Sequence, residues 1–155
     1  MEKKSAFTQE IYTECEINAP AYKVYSVISD FSNYNLWTNE LTISGDTQPG
    51  GKMKVNVKIA NNGNGWYKLS SKMKSNNERI IAFDNVLCMP FLFLGRHRFE
   101  MIPISEDKTL FINAEEFSGF AVPFVRKKTL LQNTRRFKEN VNSALKKRVE
   151  EFEIS

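Results

Sequence analysis

Residues Phe91–Ile104 read FLFLGRHRFEMIPI and residues Thr109–Gly119 read TLFINAEEFSG, with Ser105-Glu106-Asp107-Lys108 between them. Two long segments rich in aromatic and aliphatic residues around a short polar turn predict an antiparallel hairpin. With Ile104 set opposite Thr109, Met101 faces Ile112, Phe99 faces Ala114 and His97 faces Glu116, all on one side. The other side then pairs Arg98 with Glu115 and Glu100 with Asn113. Apolar partners on one face and polar partners on the other are what a sheet with one buried face requires. A slip of one residue sets aromatic side chains against charges, so the pattern selects this register.

Upstream, the same alternation recurs at strand length. Gln9–Ile17 places Ile11, Thr13, Cys15 and Ile17 on one face and Glu10, Tyr12, Glu14 and Glu16 on the other. Leu41–Gly45, Lys52–Ile59, Trp66–Met73 and Arg79–Val86 follow as further strands. Gly50-Gly51, the Asn61–Gly65 cluster and Ser75-Asn76-Asn77 supply the turns. Strands at this spacing predict an antiparallel meander. Only Asn18-Ala19-Pro20 breaks the series early. There Asn18 is placed to cap a short helix over Ala21–Ser29, with proline tolerated where a missing N–H costs nothing, and a broken turn over Phe31–Trp37 follows.

Downstream of the hairpin, Gly119-Phe120-Ala121-Val122-Pro123 ends the sheet and opens the one long helix, about Pro123–Phe152. Leu130, Thr134, Phe137, Val141, Leu145 and Phe152 recur at helical spacing and form its inward stripe. The basic residues Arg126-Lys127-Lys128, Arg135-Arg136 and Lys138 fall on its first half. They read as a solvated face, with attraction for an anionic ligand, an acidic membrane or an acidic partner as the functional alternative.

Bulk properties agree with a globular chain. The sequence has 155 residues, 41% of them hydrophobic and 26% charged, with a net charge of +4 from interleaved signs. That length predicts one domain, 1–155, and excludes a disordered chain. The charge is too evenly spread for a nucleic-acid binder. No apolar run approaches the ~20 residues of a spanning helix, and Met1–Thr8 lacks a signal-peptide core, so a cytoplasmic protein without stable membrane insertion is expected. Cys15 and Cys88 are isolated and read as small buried hydrophobes, so neither a metal site nor a cofactor is expected. The 12 phenylalanines are the compositional oddity, and they fill a thick core or wall a pocket.

Several landmarks together carry a resemblance. They are Asn18-Ala19-Pro20, Val24-Tyr25, Ile28, Asp30, Tyr34 and Trp37, then Gly95–Glu100, Glu115–Gly119 and Asn140–Lys146. In these the chain resembles the SRPBCC superfamily: START-like, birch-pollen-allergen-like and polyketide cyclase/dehydrase-like proteins. The resemblance covers about Tyr12 to Glu151 and implies an α+β helix-grip fold. A curved seven-stranded antiparallel sheet would grip the C-terminal helix, two short helices would follow strand 1, and a cavity would lie between sheet and helix. Function within the superfamily ranges from lipid carriers to aromatic cyclases, and fold alone does not choose among them.

Given such a cavity, Tyr67, Leu69, Phe83, Phe91, Phe93, Phe99 and Met101 on the sheet are its expected wall, with Thr134 and Phe137 from the helix. His97, the only histidine, is the expected polar anchor, held by Glu116. No triad, phosphate loop or metal-ligand spacing is present. The expected function is non-enzymatic binding or transport of a small hydrophobic molecule of lipid, polyketide or isoprenoid-like type. Two alternatives stand beside it: a cyclase or dehydratase using His97 and Glu116 as acid and base, and a protein-interaction module.

Overall fold

In the computed structural model, which describes residues 4–59, 65–86, 89–125 and 128–151, the alternating segments join one antiparallel sheet. Its strands are β1 (Lys4–Ser5), β2 (Thr8–Ile17), β3 (Leu41–Gly45), β4 (Lys52–Val57), β5 (Tyr67–Asn76), β6 (Ile80–Val86), β7 (Leu94–Ser105) and β8 (Lys108–Ser118). They lie in the order β1-β2-β8-β7-β6-β5-β4-β3. β1 is only a two-residue extension of the edge, so seven full strands make the sheet, as the resemblance implies. The meander β3 to β8 is closed by β2, which pairs with β8 from Thr8↔Ser118 to Ile17↔Thr109. The helices are α1 (Ala21–Ile28), a 3-10 helix (Phe31–Leu36), α2 (Val122–Val125) and α3 (Lys128–Glu151). This is the helix-grip fold.

α1 starts differently from the sequence expectation. Its N-cap is Pro20, with no side-chain capping bond, and Asn18 instead donates its backbone N–H to Glu150 Oε1 of α3 at 2.8 Å. Of the expected long helix the structure describes α2 and α3; residues 126, 127 and 152 lie outside the described residues, as do Cys88 and residues 61–64 of the expected turn. Along α3 the buried stripe is Thr134, Phe137, Lys138, Val141, Asn142, Leu145 and Val149. Steps of three and four residues keep one face toward the sheet. Leu130, expected in the stripe, is 39% exposed.

The β7–β8 hairpin carries the main correction. At its tip Ser105 pairs with Lys108, as the proposed register requires, but a bulge between Pro103 and Ser105 shifts every pair beyond it by one residue. Proline has no N–H to give the ladder, and bulges form where pairing is already broken. The result is Met101↔Phe111, Phe99↔Asn113, His97↔Glu115 and Arg96↔Glu116. β7 keeps its expected inward face, whereas on β8 the inward residues are Phe111, Asn113 and Glu115 rather than Ile112, Ala114 and Glu116. Arg98 on the outer face then bonds Glu10 at 2.8 Å and Glu100 at 2.6 Å instead of Glu115.

Below the bulge the space between sheet and helix is filled. Phe99, Met101 and Phe111 pack with Ile17, Ile28, Met73 and Ile81 from the sheet and α1, and with Val141, Leu145 and Val149 from α3. Phe99 stacks on Phe111 at 5.7 Å between ring centroids. Tyr34 closes this end, its hydroxyl donating to the Ile28 carbonyl.

Candidate ligand cavity

Toward the N-terminal half of α3 the packing opens into a cavity of about 280 Å³. Its sheet side is built from Leu41, Val55, Val57, Tyr67, Leu69, Phe83 and Phe93, and its helix side from Leu130, Leu131, Thr134 and Phe137, with Val122 of α2 and Phe117 of β8 at one end. Alternation along β4, β5, β6 and β7 is what aims these side chains inward. Backbone geometry holds that end together. Gly119 has φ +123, and a Cβ there would meet the Leu92 carbonyl at 2.4 Å. That close approach lets Phe120 N–H and Ala121 N–H donate to Phe91 O and Leu92 O at 3.2 and 2.9 Å. Other hollows, such as the one bordered by Lys23, Asp30 and Arg148, are open grooves near charged side chains.

Polar groups gather where the cavity meets the filled core. Gln9, Asn85, His97, Glu115 and Thr134 reach its wall. Behind them Lys138, with no solvent exposure, directs its ammonium at three acceptors: Asn113 Oδ1 at 3.2 Å, His97 Nδ1 at 3.3 Å and Glu115 Oε2 at 3.4 Å. Glu115 Oε1 accepts from Asn85 Nδ2 at 3.2 Å, and Asn85 Oδ1 accepts from Ser71 at 2.5 Å. On the other side Asn113 donates to Asn142 Oδ1 at 3.0 Å, and Asn142 donates to Thr13 at 3.0 Å. The network therefore runs from β5 across the sheet to α3. Gly95 makes room for it, since a Cβ at that position would lie 2.6 Å from Glu115 Oε1.

Burial sets the protonation states. His97 is pushed down to about 4 by burial, with the Lys138 charge acting in the same direction. Burial raises the Glu115 carboxyl, but the Lys138 ammonium, the His97 ring beside it and the hydrogen bond from Asn85 overcome it and hold the group at about 2. Burial lowers Lys138 while Glu115 opposes that. With a carboxylate beside it and all three N–H donors engaged, Lys138 stays charged. At neutral pH the cluster is a Glu⁻–Lys⁺ pair with a neutral imidazole. Cys15, half-buried against the core, has its thiol pushed up to about 11 by burial. Among the described residues no three His, Cys, Asp or Glu side chains converge as a metal site would require.

Of the residues expected at the site, Tyr67, Leu69, Phe83, Phe93, His97, Thr134 and Phe137 reach the cavity wall. Four do not. Phe99 and Met101 lie one layer deeper, in the filled core. Phe91 is 60% exposed, because the strand begins at Leu94 and Phe91 belongs to the loop before it. Glu116 is turned to the outer face by the bulge, 3.8 Å from Arg96, and Glu115 takes its place beside His97 at 3.6 Å. Lys138, Asn85 and Glu115 were not among the expected site residues.

This architecture can be set beside known proteins. The family model described as polyketide cyclase / dehydrase and lipid transport matches residues 8–150. The chain belongs to that family. A search of curated proteins finds no match. Among solved structures, family resemblance is strong in shape and weak in sequence. The Zhui aromatase/cyclase from Streptomyces sp. R1128 superposes with a TM-score of 0.74 at 14% identity, covering 92% of this chain and 94% of that one. A START superfamily protein from Mycobacterium smegmatis gives 0.72 at 19% identity, with 92% and 98% covered. Norcoclaurine synthase from Thalictrum flavum, solved with dopamine and hydroxybenzaldehyde, gives 0.63 at 15%, with 93% and 87% covered. At such identities the likeness shows the fold alone, and the site must speak for function. Among the described residues no helix is long and apolar enough to cross a membrane.

Proposed function

We propose that the protein binds or carries a small, mostly apolar molecule in the cavity between the sheet and the first half of α3, without converting it. The observation that carries this reading is the cavity wall itself. It is aliphatic and aromatic over nearly all its area, with its polar groups gathered at one end and tied mainly to one another. Concave, mostly apolar pockets with few directed polar groups are what small-molecule sites look like. Catalysis by His97 and a carboxylate is disfavoured by their proton affinities. A general acid or base works best with a pKa near the operating pH, whereas His97 at about 4 and Glu115 at about 2 are both far below neutrality.

The test is a titration with N-phenyl-1-naphthylamine, an uncharged probe that fluoresces in apolar surroundings. The folded protein should bind one equivalent, and Phe137→Trp, which adds volume into the cavity from α3, should weaken binding while leaving the fold intact. A wild-type protein that gives no fluorescence rise, with Phe137→Trp destabilised as overpacking of a filled core would be, contradicts the proposal.

A further inference from the structure

We infer that the cavity selects neutral ligands bearing one acceptor oxygen, such as a ketone, and rejects carboxylates, with the His97 Nε2–H as the donor that receives the oxygen. This rests on the binding function proposed above and goes on to name the ligand class.

The proton count at the polar end leads there. Lys138 Nζ carries only donors, so His97 Nδ1, 3.3 Å from it, is the acceptor of that contact, and the Glu115 oxygen at 3.6 Å lies beyond hydrogen-bond distance of the same nitrogen. The neutral ring then holds its proton on Nε2. His97 is 6% exposed, its ring is part of the cavity wall, and Nε2 has no hydrogen-bond partner. It is the one buried side-chain nitrogen or oxygen of the described residues left in that condition. The ring is fixed by stacking on Phe83 at 4.9 Å and by an edge contact with Phe99 at 4.5 Å. Three other donor groups of the wall each have a partner: Asn85 gives an amide N–H to Glu115, Thr134 its hydroxyl to the Leu130 carbonyl at 2.9 Å, and Gln9 an amide N–H to the Glu10 carbonyl at 3.0 Å.

Charge decides the rest. Among the described residues the one ionised group in the wall is the Glu115 carboxylate, and its counter-ion Lys138 stands behind it with every N–H engaged. An entering carboxylate meets that fixed negative charge and, among the described residues of the wall, no free cation, and loses its hydration without replacement. A ketone loses little and satisfies the orphan donor. Nε2 itself has almost no accessible surface, so seating the oxygen requires the wall around it to yield by about an atom's width.

Three probes of one shape test this on the full chain: 2-ethylnaphthalene, 2-acetylnaphthalene and 2-naphthoate, titrated by displacement of N-phenyl-1-naphthylamine. The naphthoate should bind at least about tenfold more weakly than either neutral compound. Substituting His97→Phe should lower the ratio of ketone to hydrocarbon affinity by about fivefold, the scale of one hydrogen bond. His97→Gln, which keeps an N–H in the wall, should restore part of it, and thermal melting of both variants shows that each is folded. An unchanged ratio in folded His97→Phe overturns the donor role of Nε2, and naphthoate binding tightest overturns the charge argument; either result leaves the binding function standing. If none of the three binds, the function proposed above fails as well.

Discussion

The two halves of α3 meet the same sheet in different ways. Val141, Leu145 and Val149 press into a filled apolar core against Phe99, Met101 and Phe111. One or two turns earlier, Thr134 and Phe137 look into open space, and Lys138 sits fully buried between the two regimes. β7 repeats the division: Phe99 and Met101 are core, His97 is boundary, and Gly95, with Phe93 just before the strand, is cavity wall. The polar cluster thus lies at the seam. A helix lifted off a sheet would ordinarily be drawn back by apolar burial. Here the Lys138–Glu115 pair and its amide partners span the gap with directional bonds instead, and the cavity begins where the bonds end.

Removing the seam should have the largest effect. Lys138→Met leaves Glu115 ionised and buried without its counter-charge, and should cost about 3 to 5 kcal/mol in denaturant unfolding. Adding Glu115→Gln removes the stranded charge, so the double variant should recover much of that loss. A double variant as unstable as the sum of the two singles would mean that the pair is not coupled.

The contrast between filled and open regions sharpens with two truncations measured in the same way. Phe99→Ala, in the core with no exposure, should cost roughly 3 to 5 kcal/mol, while Leu69→Ala in the cavity wall should cost no more than about 1.5 kcal/mol, because it has fewer packed neighbours to lose. Equal losses at the two positions would mean that the cavity wall is packed like the core.

Acid should act through the seam as well. The folded-state pKa of His97, about 4, lies below the ordinary 6.5, so between those values the unfolded chain holds a proton that the folded chain does not. Stability is therefore complete above about pH 6.5 and falls as the pH drops toward 4, by about 3 kcal/mol in all. Glu115, held at about 2 against an ordinary 4.5, adds a second loss as the pH falls below that ordinary value. His97→Phe should flatten the first part of the curve and keep the share of the second that Lys138 and Asn85 supply. A wild-type stability that stays level from neutrality down to pH 4 would contradict the buried neutral imidazole.

How far the sequence exposed this arrangement depended on which signal each residue carried. The inward face of β7 was legible because Phe99 and Met101 alternate with Arg98 and Glu100. On β8, Ile112, Asn113, Ala114 and Glu115 offer no such alternation, since both faces of that central strand are covered. Pairing apolar partners across the hairpin therefore did not separate the two registers, and the bulge beside Pro103 moved the pairing by one residue. That single shift exchanged Glu116 for Glu115 at the site. Lys138 escaped because it follows Arg135-Arg136 in a basic run that resembles a solvated face. Its spacing from Thr134 and Asn142, four residues on either side, was the available signal, because it places all three on the buried stripe. Phe91 was miscounted as wall because an apolar sequence at a strand's beginning does not reveal where the ladder starts.

The apolar cavity ends at His97, with the proposed binding space on one side of it and the filled core on the other. The most direct measurement is methyl-detected NMR of the protein with bound N-phenyl-1-naphthylamine, reading intermolecular nuclear Overhauser effects. Leu69, Leu131 and Val55 methyls should show cross-peaks to the probe, whereas Val141, Leu145 and Val149 should show none. Cross-peaks concentrated on Leu145 and Val149, or a probe that touches only exposed methyls, would contradict the account.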